Sequence, residues 1–77
     1  MLTNTNPTLT DLFAQLGLEN SDSAIESFVS KHRPLPAEVH IEDASFWNES
    51  QKAFIQFEIE EDAEWAEVID TLSSMLR

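Results

Sequence analysis

Pro34 and Pro36, separated by one leucine near the middle of the 77-residue chain, limit what it can fold into. A proline cannot continue a helix interior, and it biases the residue before it away from helical backbone. Arg33-Pro34-Leu35-Pro36 therefore reads as an extended, polyproline-like connector. Any helix must end before it or begin after it, so the chain is two halves that have to pack across a stiff segment.

The first half carries two helical stripes. Leu9, Leu12, Phe13 and Leu16 recur at i, i+3, i+4 and i+7, with Thr8 as N-cap and Asp11 three residues on in a capping-box arrangement. Gly17, the only glycine, stands where a helix C-terminus needs left-handed backbone, and Leu18 follows to close against Phe13. After a polar turn, Ser21 or Ser23 supplies the next N-cap, and Ser23 with Glu26 completes a second capping box. Ile25, Phe28, Val29 and His32 then repeat the stripe, while Lys31 and Arg33 complement the helix dipole before Pro34 stops it. These two helices form an αα-hairpin.

Beyond the connector, Ala37 to Glu42 reads as extended, with Val39 and Ile41 inward and His40 and Glu42 outward. A short turn through Phe46-Trp47 follows. Asn48 and Gln51 form the clearest helix start in the chain, at N-cap and N3. The next segment is ambiguous. Ala53, Phe54 and Phe57 share one helical face, whereas Ile55 and Ile59 point roughly opposite, and Ile55 to Glu60 also alternates as a strand would. A strand would want at least two partners, and Val39 to Ile41 is the one other candidate, so helix is the better reading. A helix apolar on opposite faces needs a partner on each, which marks Ile55 and Ile59 as candidate interface residues. In the last segment Asp62 is the N-cap, Trp65, Val68, Ile69, Leu72, Met75 and Leu76 fall on one stripe, and Arg77 adds a cation at the C-terminal end.

The expected fold is all-α. Residues 1–7 form a disordered leader and 8–77 a single domain of four short helices, roughly 9–16, 22–32, 49–60 and 63–76. The N-terminal hairpin packs on the C-terminal pair.

Charge bounds the partners. The formal net charge is −11, and eleven of the fifteen acids lie from Glu38 onward, against Lys52 and Arg77 as the bases there. That sign opposes phosphate backbones and anionic lipid surfaces, so neither nucleic acid nor membrane is an expected partner; a steered protein partner would be basic. An apolar content of 42% is too high for a disordered chain of this charge, and no stretch is long enough to span a membrane. The leader does not resemble a signal peptide, and the expected location is the cytoplasm. A chain this short buries a small core, which favours self-association or docking on another protein.

Chemistry-bearing motifs are sparse. With no cysteine and two histidines, neither a thiolate nucleophile nor a structural zinc site is expected, and one glycine cannot build a phosphate-binding loop. Glu58, Glu60, Glu61, Asp62, Glu64 and Glu67 lack calcium-loop spacing; they read as a solvated, dipole-matched face at the start of the last helix. His32, Arg33 and Trp47, gathered around the connector, form a candidate pocket for a small anionic ligand. Asp22-Ser23-Ala24 superficially offers an acyl-carrier attachment serine, but the carrier pattern has leucine next and a longer preceding helix; helix capping explains Ser23 without a prosthetic group. No catalytic residue, cofactor or metal is expected.

Asp11-Leu-Phe-Ala-Gln-Leu-Gly-Leu18, Lys31-His-Arg-Pro-Leu-Pro36, Phe46-Trp47 and Asp62-Ala-Glu-Trp-Ala-Glu-Val68 together resemble a family of small bacterial proteins, domain of unknown function 2789. The resemblance runs from about Thr8 to Arg77. It implies a bacterial origin and a stand-alone small domain, and it brings no activity or site residues. The expected function is that of a non-enzymatic protein-interaction or regulatory protein, docking on a basic partner or forming a homodimer. A small-molecule binder is the alternative and an acyl carrier the remote one.

Overall fold

A computed structural model describes residues 7–77, so the expected leader, except for Pro7, lies outside the described residues. Four helices follow in order: α1 (Leu9–Gln15), α2 (Asp22–His32), α3 (Glu49–Glu61) and α4 (Ala63–Leu76). The described residues contain no strand, and the ambiguous stretch 53–60 is helical. Where an extended run is expected, the chain instead turns, the Val39 amide donating to the Pro36 carbonyl at 3.0 Å, and then makes a 3₁₀ turn, Ile41–Asp43. Ile41 is buried and Val39 half-buried, so the inward positions stand although the backbone is not a strand.

The helix ends follow their local chemistry. The Thr8 hydroxyl accepts from the Asp11 amide at 3.2 Å while the Asp11 carboxylate accepts from the Thr8 amide at 3.0 Å, the reciprocal box that satisfies two otherwise orphaned donors. Gly17 adopts φ +75°, and its amide and that of Leu18 close back on the Ala14 and Phe13 carbonyls at 3.1 and 2.9 Å, a Schellman ending. At α2 the cap is Ser21, whose hydroxyl accepts from the Ala24 amide at 3.1 Å. The Ser23–Glu26 box is not formed, because Ser23 already lies inside the first turn.

The N-terminal pair packs on the C-terminal pair through α4, which touches α1, α2 and α3. Its Val68, Ile69, Leu72 and Leu76 are buried together with Leu12, Phe13, Ile25, Val29, Leu35, Ile41, Trp47 and Ile55. A ring cluster lies alongside: Phe28 packs edge-on against Phe13 and Phe46 at 5.2 and 5.5 Å and stacks with Trp47 at 5.6 Å. The Trp47 indole N–H donates to the Ile41 carbonyl at 2.8 Å, satisfying the one polar atom that burial of this ring would strand.

The connector serves as the end of α4. The Leu35 amide donates to the Leu76 carbonyl at 2.6 Å, and Arg77 donates to the Pro36 and Val39 carbonyls at 2.8 and 3.0 Å. The last helical turn leaves carbonyls without intrahelical partners, and a segment some forty residues upstream supplies one of the missing donors.

Candidate functional site

The two faces of α3 differ from the sequence expectation. Gln51, Phe54, Ile55, Glu58, Ile59 and Asp62 are the positions shielded from solvent, spaced i, i+3, i+4, i+7, i+8 and i+11. Ile55 has no exposed surface and belongs to the core of the single chain; Ile59 is half-buried and packed against that core. A role at an interface for Ile55 is thereby corrected, since it has no surface to offer a partner. Three polar residues on the inner stripe hid its direction.

Those polar residues face inward because each has a task or a long stem. The Gln51 side chain accepts from the Asn48 amide at 2.9 Å, and its amide nitrogen donates to the Leu16 carbonyl at 2.9 Å. One residue thus starts α3 and also satisfies the open end of α1. Asp62 is the single residue between α3 and α4. Its backbone N–H closes α3 on the Glu58 carbonyl at 2.9 Å, while its carboxylate accepts from the Glu64 and Trp65 amides at 3.0 and 3.3 Å.

With Ile55 inside, Phe57 is outside. It is 61% exposed, the one large hydrophobic side chain so placed among the described residues. Phe54, three residues earlier, is half-buried and meets Trp65 of α4 edge-on at 5.8 Å, so α4 turns back along α3 with an aromatic seam at the edge of their contact. Ala53 is exposed one turn before Phe57, and Glu60 and Glu61 are exposed one turn after it. Glu64 is exposed in the first turn of α4.

These acids lie differently from the sequence expectation in one respect. Glu60 and Glu61 belong to the last turn of α3, which carries no basic residue, so the dipole of α3 opposes their charge while that of α4, which starts two residues on, favours it. Asp62 and Glu64 sit at the favourable end of α4 itself. From Glu49 to Leu76 the chain has eight acids and one base, Lys52, which is held by Asp43 at 3.3 Å.

The three candidate pocket residues do not line one cavity. His32 stacks on Phe46 at 4.2 Å and packs against Phe28 at 4.5 Å; burial, then the neighbouring Lys31 ammonium, lowers its pKa below the ordinary 6.5. Trp47 is buried and hydrogen-bonded, and Arg33 is exposed at the end of α2. A hollow of about 300 Å³ beside the connector is lined by His32, Pro34, Pro36 and Phe46, but by neither Arg33 nor Trp47. A larger one, about 440 Å³, opens over α1 and α2 and is lined by Phe13, Leu18, Phe28, Ser23, Ser27, Lys31 and Glu19 among others.

Among the described residues no three His, Asp or Glu side chains are grouped to hold a metal ion, and no helix is long and apolar enough to cross a membrane. No curated protein and no solved structure matches the chain. The family model described as Protein of unknown function (DUF2789) matches residues 1–76, nearly all of the sequence including the segments that carry the helix ends, the connector and the aromatic seam, and the chain belongs to that family.

Proposed function

We propose that the protein is a non-enzymatic docking or regulatory protein that acts by contact with another protein. The observation that carries this reading is Phe57, a large apolar side chain left in water on the outer face of a helix whose inner face already closes the core. A contiguous apolar patch rimmed by polar residues marks a contact site, and Phe57 lies one helical turn from half-buried Phe54, which packs on Trp65.

Affinity capture from the native bacterium, with the tagged protein at low and at high salt, tests it. One or more saturable protein partners at low salt support the reading. Recovery of none, with the bait folded, overturns it.

The hollow over α1 and α2 favours a second reading, a binder of a small anionic molecule. Ser23, Ser27 and Lys31 follow one another at intervals of four along α2 and line the hollow with Phe13 and Phe28, so two hydroxyls and an ammonium are available to a ligand there, beside the one carboxylate of Glu19. Neither Trp lines this hollow, so ligand binding is best followed by shifts of the Ser23, Ser27 and Lys31 amide resonances during titration with a metabolite panel. An unchanged spectrum across the panel removes this reading.

A further inference from the structure

We infer that the α3–α4 edge, where exposed Phe57 lies one turn from half-buried Phe54 and its neighbour Trp65 and beside the exposed Glu60, Glu61 and Glu64, docks a basic amphipathic helix of a partner protein. This rests on the docking reading above and names its surface and the chemistry of its occupant.

Charge selects the occupant. A second copy would meet the seam about a two-fold axis, which brings the same patch of each chain together. Glu60, Glu61 and Glu64 would then crowd against their own copies, and the one base on either helix, Lys52, is already engaged by Asp43. Phe54, Phe57 and Trp65 suit the single apolar stripe of one helix laid along the ridge between α3 and α4, with its Lys and Arg residues reaching the flanking carboxylates.

The placement of the acids supports the same occupant. Glu60 and Glu61 are exposed in a helical turn that carries no base, so cations of a docked helix would reach them directly.

The test uses the full chain and three fluorescein-labelled synthetic peptides of eighteen residues. One is a Leu/Lys sequence with a single apolar helical face, one has the same composition permuted to have no such face, and one replaces each Lys by Glu. Anisotropy at low salt should show saturable binding of the first, with the other two at least tenfold weaker. Phe57→Ser should weaken the first peptide at least tenfold while leaving the thermal midpoint nearly unchanged. The triple change Glu60→Lys, Glu61→Lys, Glu64→Lys should weaken it more than Glu19→Lys, Asp22→Lys, Glu26→Lys, which alters net charge equally on the other half of the molecule.

Equal loss from the two triple variants, or no loss with Phe57→Ser, would mean diffuse attraction and would overturn the seam. So would a dimer in sedimentation that Phe57→Ser dissociates. If a native partner is captured equally by the wild type and by Phe57→Ser, the seam fails while docking stands. If neither captures a partner, docking itself fails.

Discussion

At the scale of single residues, the fold depends on a few side chains that satisfy two helix ends at once. Gln51 supplies the oxygen that caps α3 and the N–H that meets the carbonyl of Leu16, the residue that closes α1. Gln51→Glu keeps the first contact and removes the second, which should cost about 1 kcal/mol, whereas Gln51→Ala loses both and should cost about twice that. Urea midpoints of the two variants separate the contributions. His32 makes a different prediction. Its folded pKa lies below its ordinary value, so the unfolded chain takes up the proton first, and stability is full above about pH 6.5 and falls as pH drops through the interval down to the folded value. His32→Phe keeps a ring against Phe28 and Phe46 but has no proton to bind. It should flatten that part of the stability profile, as measured by denaturant melts between pH 7.5 and pH 5.5.

At the scale of the helix, α3 explains both what was legible in the sequence and what was not. The starts and stops of all four helices could be read within about a residue, because Thr8, Gly17, Asn48 and Asp62 act on their immediate neighbours and need no tertiary context. Which way α3 faces could not be read so directly. Its inner stripe holds Gln51, Glu58 and Asp62 beside Phe54, Ile55 and Ile59, so hydrophobicity gives no clean period; the positions are fixed by a hydrogen bond to Leu16 and by a one-residue junction to α4. The sequence already held one usable sign, since Gln51 as a capping residue fixes a phase for the helix, and Phe54, Ile55 and Glu58 follow at its i+3, i+4 and i+7. Nearness along the connector likewise does not say which hollow a side chain lines: His32 borders the one beside the connector, and Arg33 and Trp47 do not. The two faces can be told apart by substitution. Ile55→Ala should cost 2–5 kcal/mol by opening a cavity in a closed core, roughly what such core truncations cost, while Phe57→Ser should stay within about 0.5 kcal/mol. Equal effects on the thermal midpoint would mean that the faces are misassigned.

For the whole molecule, two long-range terms oppose each other. The core gathers around α4, and the connector is fastened to the end of that helix by Leu35 and Arg77. Arg77→Ala should speed amide exchange at Leu35 and Val39 well before it affects α1, because the donors it removes hold only that segment. Against this stands a net charge of −11, whose self-repulsion loosens a compact chain. Salt screens it, so raising sodium chloride from about 20 to 300 mM, where the screening length falls well below 10 Å, should raise the thermal midpoint of the free protein while weakening the peptide complex.

The dependence of every other helix on α4 also sets an order of events during synthesis. As the chain emerges, α1, α2 and α3 appear first, each with an apolar stripe, and α1 and α3 lack the helix they pack on most. The core has no centre until the residues of α4 are out, and the connector has no anchor until Leu76 and Arg77 are out. A ribosome-bound chain short of those residues can bring the Phe13, Phe28, Phe46 and Trp47 rings together but leaves Ile55 without the helix that covers it, and the core closes in a late step.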